Sequence, residues 1–161
     1  MGIGASTPRP ALHLPPLDDA TSLAFLRRFS NVAVGEHKKY GIPASVLLAC
    51  AYVNSFAGQR PLVLEANNFF ALACSPTWDG RTHSLNGHCF RRYDRAWDSF
   101  RDFSLYLTRQ SGFDSLRRTA GSDWRKWAAG LAAQDVSDVA DFEAEVKKAV
   151  ESYRLFELDG K

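Results

Sequence analysis

Apolar side chains along this chain recur mostly at the three-to-four-residue spacing of helices, with one short interval that breaks the rhythm. Residues 1–17 are rich in proline, glycine and small side chains and are expected to form a flexible leader. The first amphipathic stretch then runs from Asp18 to Tyr40. Leu23, Leu26, Phe29, Val32 and Ala33 share one side of it, Asp18, Asp19 and Thr21 offer N-caps, and Gly41 suits the residue that closes a helix. Ile42-Pro43 opens a second helix, because proline is tolerated at a first helical position. Its run from Ala44 to Val53 is apolar almost all round, which belongs in the middle of a domain, and Asn54 to Gly58 ends it. A short helix or turn follows over 62–68. Segments 69–74 and 89–93 read as two short strands of a hairpin, and 95–110 as a third long helix with Trp97, Phe100, Phe103 and Leu107 along one side. A turn over 113–116 precedes a helix that Ser122-Asp123 caps and that carries Trp124 and Trp127 at core spacing. The last helix is expected over 138–155, with Phe142, Val146, Ala149, Val150 and Tyr153 inward. The pattern predicts one mainly α domain over 18–161, with a small β-hairpin.

Composition narrows the function classes. The chain has 161 residues, enough for one core. Its 20 basic and 18 acidic residues nearly balance, and the basic clusters are only pairs such as Arg27-Arg28 and Lys38-Lys39, which a solvated surface accounts for. That argues against a nucleic-acid binder, which needs a basic patch. No apolar run reaches the ~18–20 residues of a membrane span. Of the three cysteines, Cys74 and Cys89 bracket a segment rich in turn formers, while Cys50 lies in the apolar helix. The simplest reading is a Cys74–Cys89 disulfide, worth roughly 3 kcal/mol in the chain-entropy model, in an oxidising compartment. Three reduced cysteines in a cytosolic protein are the alternative. No CxxC or HxxxH spacing suggests a metal, and no cofactor is implied.

Several ordered segments carry a resemblance. Tyr40-Gly-Ile-Pro-Ala-Ser-Val-Leu-Leu-Ala49 resembles the entry to the central helix of family 73 glycoside hydrolases, the endo-β-N-acetylglucosaminidases that cut peptidoglycan. Glu65-Ala-Asn-Asn-Phe-Phe-Ala71 resembles their NN-F-G turn, with Ala71 at the glycine. Cys89-Phe-Arg-Arg-Tyr93 followed by Trp97-Asp-Ser-Phe-Arg-Asp102 is similar to the CFRKY…SFRDH segment of a Bacteroidetes-type subgroup, and Asp123-Trp-Arg-Lys-Trp-Ala-Ala-Gly-Leu131 to its DYKAWAKGL helix. The resemblance implies a lysozyme-like fold, a Cys74–Cys89 disulfide flanking the hairpin, a glycan containing N-acetylglucosamine as partner, and a periplasmic or extracellular location.

The same resemblance exposes departures. The motif that closes the central helix, approximately Ala-Gln-x-x-x-Glu-Ser, is here Ala49-Cys50-Ala51-Tyr52-Val53-Asn54-Ser55, so Asn54 stands at the position of the catalytic glutamate. A later Gly-Tyr-Ala-Thr segment is replaced by Asp135-Val136-Ser137-Asp138, with Val136 at the tyrosine that lines the cleft. Glycosidic cleavage needs a carboxylic acid to protonate the leaving oxygen, and an amide has no proton to give near neutral pH. The expectation is a catalytically degenerate domain that binds peptidoglycan strands or serves as an interaction module for an envelope protein. The alternative is an active glucosaminidase with its acid relocated to Glu65 or Asp79. Asp94 next to the hairpin is a turn residue in the plainer reading, and Asp135 and Asp138 are helix N-caps. Asn54, Phe69, Phe70, Trp78 and Val136 are the candidate substrate contacts, the aromatic rings as sugar-stacking surfaces. His83 and His88 read as solvated loop residues.

Overall fold

A computed structural model of the chain describes residues 11–161. The expected leader therefore lies outside the described residues as far as residue 10. Residues 11–17 run along the domain, where Leu12 forms a parallel bridge to Val139 and Leu14 and Leu17 pack on the core.

Helix α1 (Asp19–Tyr40) starts where Asp18 accepts the Thr21 N–H at 2.7 Å, a bond that holds the Asp18 carboxyl below its usual range. It stops at Gly41, whose φ of 79° only glycine adopts freely. Helix α2 (Ala44–Ser55) follows, with Pro43 just before it rather than inside it. Every residue of α2 is buried, as its unbroken apolar run requires. A buried helix still needs partners for its first N–H groups. The far end of the chain supplies one: Asp159 accepts the Ser45 N–H at 2.8 Å, and the Ser45 hydroxyl at 2.6 Å, while the Val46 and Leu47 N–H groups reach Pro43 O. Asp159 belongs to a closing 3-10 helix (Leu155–Gly160), so the cap also ties the C-terminus to the centre of the domain.

After α3 (Pro61–Ala66), the hairpin differs from the expected one. Its strands are β1 (Thr82–Leu85) and β2 (His88–Arg91), paired antiparallel from Thr82 with Arg91 to Leu85 with His88. Asn86-Gly87 makes the connection, both at positive φ, as a two-residue hairpin turn demands. Segment 69–74 contributes one bridge, Ala73 to Phe90, because its own residues are committed to the core and to Asn68, which bonds the backbone of Leu72 on both sides. The Cys74–Cys89 disulfide closes this region, and the Cys74 N–H donates to Cys89 O at 3.1 Å.

Helix α4 (Ala96–Thr108) buries Phe100, Phe103 and Leu107 as expected. Trp97 departs: it is 43% exposed, with the Arg95 and Arg101 guanidiniums against its ring. The turn expected at 113–116 is a helix, α5 (Phe113–Ala120), with an acid in its first turn and Arg117 and Arg118 in its last, the arrangement that suits the helix dipole. Helix α6 (Trp124–Ala133) is capped by Asp123. Helix α7 (Phe142–Ser152) begins four residues later than its sequence pattern suggests, because 138–140 are extended alongside Leu12. Asp138 is thus not the N-cap expected of it.

The core wraps α2. Phe25 and Phe29 from α1 meet Phe69, Phe70, Phe100 and Phe103 in one aromatic cluster. The hairpin is fastened to α4 by Arg91, which donates to Ala73 O at 2.9 Å and to Asp102 at 2.9 Å. Tyr93 donates to the same Asp102 carboxylate, and burial followed by that acceptor pushes its phenol well up.

Substituting Asp159→Ala removes the side-chain cap at the N-terminal end of α2. It is expected to lower stability by about 1–2 kcal/mol in urea unfolding, and an unchanged midpoint would show that the C-terminus does not cap the helix.

Candidate functional site

The second-last residue of α2 is Asn54, and it is 0% exposed. Its Nδ2 donates to Cys50 O at 2.8 Å, one turn back along the helix. Its Oδ1 accepts the Ser137 hydroxyl at 2.6 Å, and Ser137 in turn accepts the Val139 N–H at 3.0 Å. Both ends of the amide are therefore engaged by protein. Burial pushes the Cys50 thiol up, so that the residue one turn before Asn54 is a protonated, inert group.

The chain leaves α2 through three residues with left-handed backbone, Phe56, Ala57 and Gly58. For Phe56 and Ala57 this conformation costs roughly 1–2 kcal/mol each. It folds the chain back sharply, so that the Arg60 N–H reaches Ser55 O at 3.0 Å. Arg60 is thereby placed over the helix end. Its Nη1 donates to Asn54 O at 3.0 Å and to Asp138 Oδ1 at 3.1 Å, and its Nη2 to Asp138 Oδ2 at 2.7 Å. The two side chains are 6% and 5% exposed, a buried, two-pronged ion pair between the α2–α3 turn and the α6–α7 loop. The loop is held a third time from outside: the Leu12 N–H donates to Asp138 O at 2.8 Å, and the Ala140 N–H to Leu12 O at 2.6 Å. Asn54, Arg60, Ser137 and Asp138 form one connected polar network, in which Asn54 and Arg60 are buried and Ser137 reaches the wall of an adjacent cavity.

The other candidates scatter. Glu65 is on α3, half-exposed, its Oε1 3.0 Å from His83 Nε2 on β1, so His83 is paired rather than freely solvated. Asp79 is exposed on the loop before β1. Asp94 forms a surface ion pair with Arg81. Trp78 lies folded against the hairpin base: its Nε1 donates to Arg81 O, Arg91 sits 4.9 Å from its ring, and Gly80 leaves the space its indole fills. Phe69 and Phe70 are 3% and 0% exposed, and Phe70 stacks on Phe103 at 4.0 Å. The Phe70 ring is committed to the core and presents no face to a sugar, whereas Phe69, also buried, lines a cavity between α1 and α3. Val136, also buried, lines a cavity of about 530 Å³ between the loop, α6 and α7, and Asn54 is not in its lining. Among the described residues no group of three or more His, Cys, Asp or Glu side chains is placed to hold a metal, and no helix is long and apolar enough to cross a membrane.

No motif in the sequence marks Arg60 or Ser137 as part of a site, and Asp138 has the sequence context of a helix cap. The available signal was Arg60 itself, a lone charge between two strongly apolar segments, Ala44–Val53 and Pro61–Leu64. Once buried, such a charge needs a counter-charge.

A buried central helix, flanking helices and a small hairpin define the lysozyme-like class of helical domains. Within it, the chain belongs to the glucosaminidase family, described as mannosyl-glycoprotein endo-beta-N-acetylglucosaminidase, whose profile matches residues 30–155. The fold is similar to the catalytic domain of the autolysin Auto from Listeria monocytogenes, with a TM-score of 0.71 at 19% identity over 90% of this chain and 91% of that one. It is also similar to the glycoside hydrolase domain of FlgJ from Salmonella typhimurium, with a TM-score of 0.69 at 21% identity over 88% and 91% of the two chains. A chain from a type VI secretion effector–immunity complex of Pseudomonas protegens matches with a TM-score of 0.58 at 18% identity, over 83% and 96%. No curated protein sequence matches at a significant level.

Removing the carboxylate of the buried pair strands the Arg60 guanidinium. Asp138→Leu is expected to cost about 3–5 kcal/mol in urea unfolding, and Arg60→Met with Asp138→Leu to recover most of it. Equal losses in the single and double variants would mean that the pair is not coupled.

Proposed function

We propose that this chain is a non-hydrolytic glucosaminidase-family domain of the cell envelope, periplasmic or extracellular, that binds peptidoglycan strands or a protein partner there. The observation that carries this reading is the state of Asn54. A general acid must hold a proton and reach the leaving oxygen of the substrate. Asn54 is an amide whose two ends already bond Cys50 and Ser137, and it lies under a buried Arg60–Asp138 pair. The nearest carboxylate of the network, Asp138, has both oxygens on Arg60. The loss of a general acid lowers rates by roughly 10²–10⁴. Closure of the position adds to that loss.

The disulfide supports an extracytoplasmic site of action, since such bonds persist in oxidising compartments. The effector–immunity neighbour supports a protein partner as a use of this fold. One observation favours a second reading, hydrolysis through a relocated acid: Glu65 is half-exposed and oriented by His83 at 3.0 Å, as a positioned carboxylate would be. Asp79 is the other exposed candidate.

Incubation with purified peptidoglycan separates the two. The expected outcome is retention on the insoluble wall with no new reducing ends, and Asn54→Glu also stays inactive because its carboxylate would be sealed beneath Arg60. Reducing ends released by the unaltered protein, and lost in Glu65→Gln or Asp79→Asn, would establish the relocated acid instead.

A further inference from the structure

The α6–α7 loop, residues 134–141, is fastened from two sides. From within, Ser137 donates to Asn54 Oδ1 at 2.6 Å, and Arg60 holds the Asp138 carboxylate at 2.7 and 3.1 Å. From without, Leu12 bonds the loop backbone twice. Its N–H donates to Asp138 O at 2.8 Å, and its carbonyl accepts the Ala140 N–H at 2.6 Å. Val136, Ser137 and Val139 also line the cavity of about 530 Å³ between the loop, α6 and α7, so close packing does not wedge the loop on that flank.

The loop has a hinge near each end. Asp135 follows α6 and Asp141 precedes α7, with φ of 55° and 56°, left-handed values that a residue with a Cβ adopts at a cost. Rotation at these two positions relieves that strain and carries the residues between them together. Opening in this way strands no charge, because Arg60 and Asp138 reach water at the same time.

The outer fastening belongs to residues 11–17. Leu12, Leu14 and Leu17 are half-buried, with exposed residues between them. Leu14 and Leu17 touch the core at the rim of a cavity of about 730 Å³ that separates 14–17 from α7, so this strap is lightly seated. Pro15 and Pro16 donate no N–H and fix their own φ, which makes the strap stiff. A stiff, lightly seated segment joined to the loop by one bridge lifts as a unit.

We propose that residues 11–17 are a latch on the site at Asn54. Seated, the strap keeps the α6–α7 loop shut over the end of α2. Lifted, it lets the loop swing about Asp135 and Asp141, which parts Asp138 from Arg60 and Ser137 from Asn54. Access to position 54 is thus governed from the strap, whichever partner the domain takes, and the latch does not depend on the wall-binding reading.

The test compares hydrogen exchange at the Asn54 side-chain amide with that of the α2 backbone in the unaltered chain and in Leu12→Pro. Proline suits an extended strap and deletes the N–H that Asp138 O accepts. In the unaltered chain the two are expected to exchange together. In Leu12→Pro the Asn54 amide is expected to exchange about tenfold or more faster than the α2 backbone, because the loop now opens without the rest of the domain. Equal acceleration of both would make the strap an ordinary contributor to stability, and acceleration of neither would leave it without a hold on the loop; either overturns the proposal. If Leu12→Pro does not fold, Leu14→Ser with Leu17→Ser loosens the strap with the Leu12 bonds in place, and the same separation is expected. Failure of both variants to fold would make the strap part of the domain's framework and overturn the latch as well.

Discussion

A guanidinium withdrawn from water must be met by an opposite charge and by acceptors for its remaining protons. Arg60 is met on both counts, by the Asp138 carboxylate and by the backbone oxygen of Asn54. Much of the arrangement at this end of the domain follows from that requirement. The left-handed turn after α2 is what brings Arg60 back over the helix end. The α6–α7 loop must present Asp138 inward, which places Ser137 on the Asn54 amide and leaves 138–140 extended, free to pair with Leu12. Three chain segments distant in sequence, the end of α2 with its turn, the loop 137–140 and Leu12, are thereby fixed to one another around the Arg60–Asp138 pair.

In the function proposed above, the network takes the place of an active centre. The sequence resemblance implies a catalytic glutamate at the position that Asn54 occupies. Here a neutral amide with Ser137 and Cys50 O as its partners suits the same position, because it both donates and accepts. A carboxylate there would accept only, and would add a second negative group beside the one that Arg60 neutralises. The replacements at 50, 54 and 136 are mutually consistent: an inert thiol, a saturated amide and a buried valine, each fit for a closed interior and none for proton transfer. The rest of the scaffold is kept. Asp159 caps the central helix, the aromatic cluster fills the core, and Arg91 with Tyr93 and Asp102 fastens the hairpin to α4.

The fold was legible wherever one local rule decided the outcome. Gly41, the apolar run of α2 and the Asp123 cap each announced an element that the structure contains. It was misread where distant parts of the chain compete. Segment 69–74 has the composition of a strand, but its phenylalanines are claimed by α1 and α4, and β2 pairs instead across Asn86-Gly87. Phe70 reads as a binding surface for the same reason: an aromatic ring looks alike in sequence whether it faces a groove or a core. At the site, the resemblance singled out Asn54 as a missing acid. It did not reveal that the position is closed, because closure depends on Arg60 and Asp138 meeting across 78 residues of sequence. Asp138 looked like a helix cap, and only its tertiary partner assigns it otherwise.

The central claim is that position 54 is part of a sealed interior and not the floor of an open cleft. The most direct measurement is hydrogen exchange at the Asn54 side-chain amide, resolved by heteronuclear NMR on the intact chain. Protons bonded to Cys50 O beneath a buried ion pair should exchange only through large-scale opening, at rates close to those of the α2 backbone. Exchange as fast as that of a solvated asparagine would contradict the account, and would place Asn54 in a cleft open to substrate.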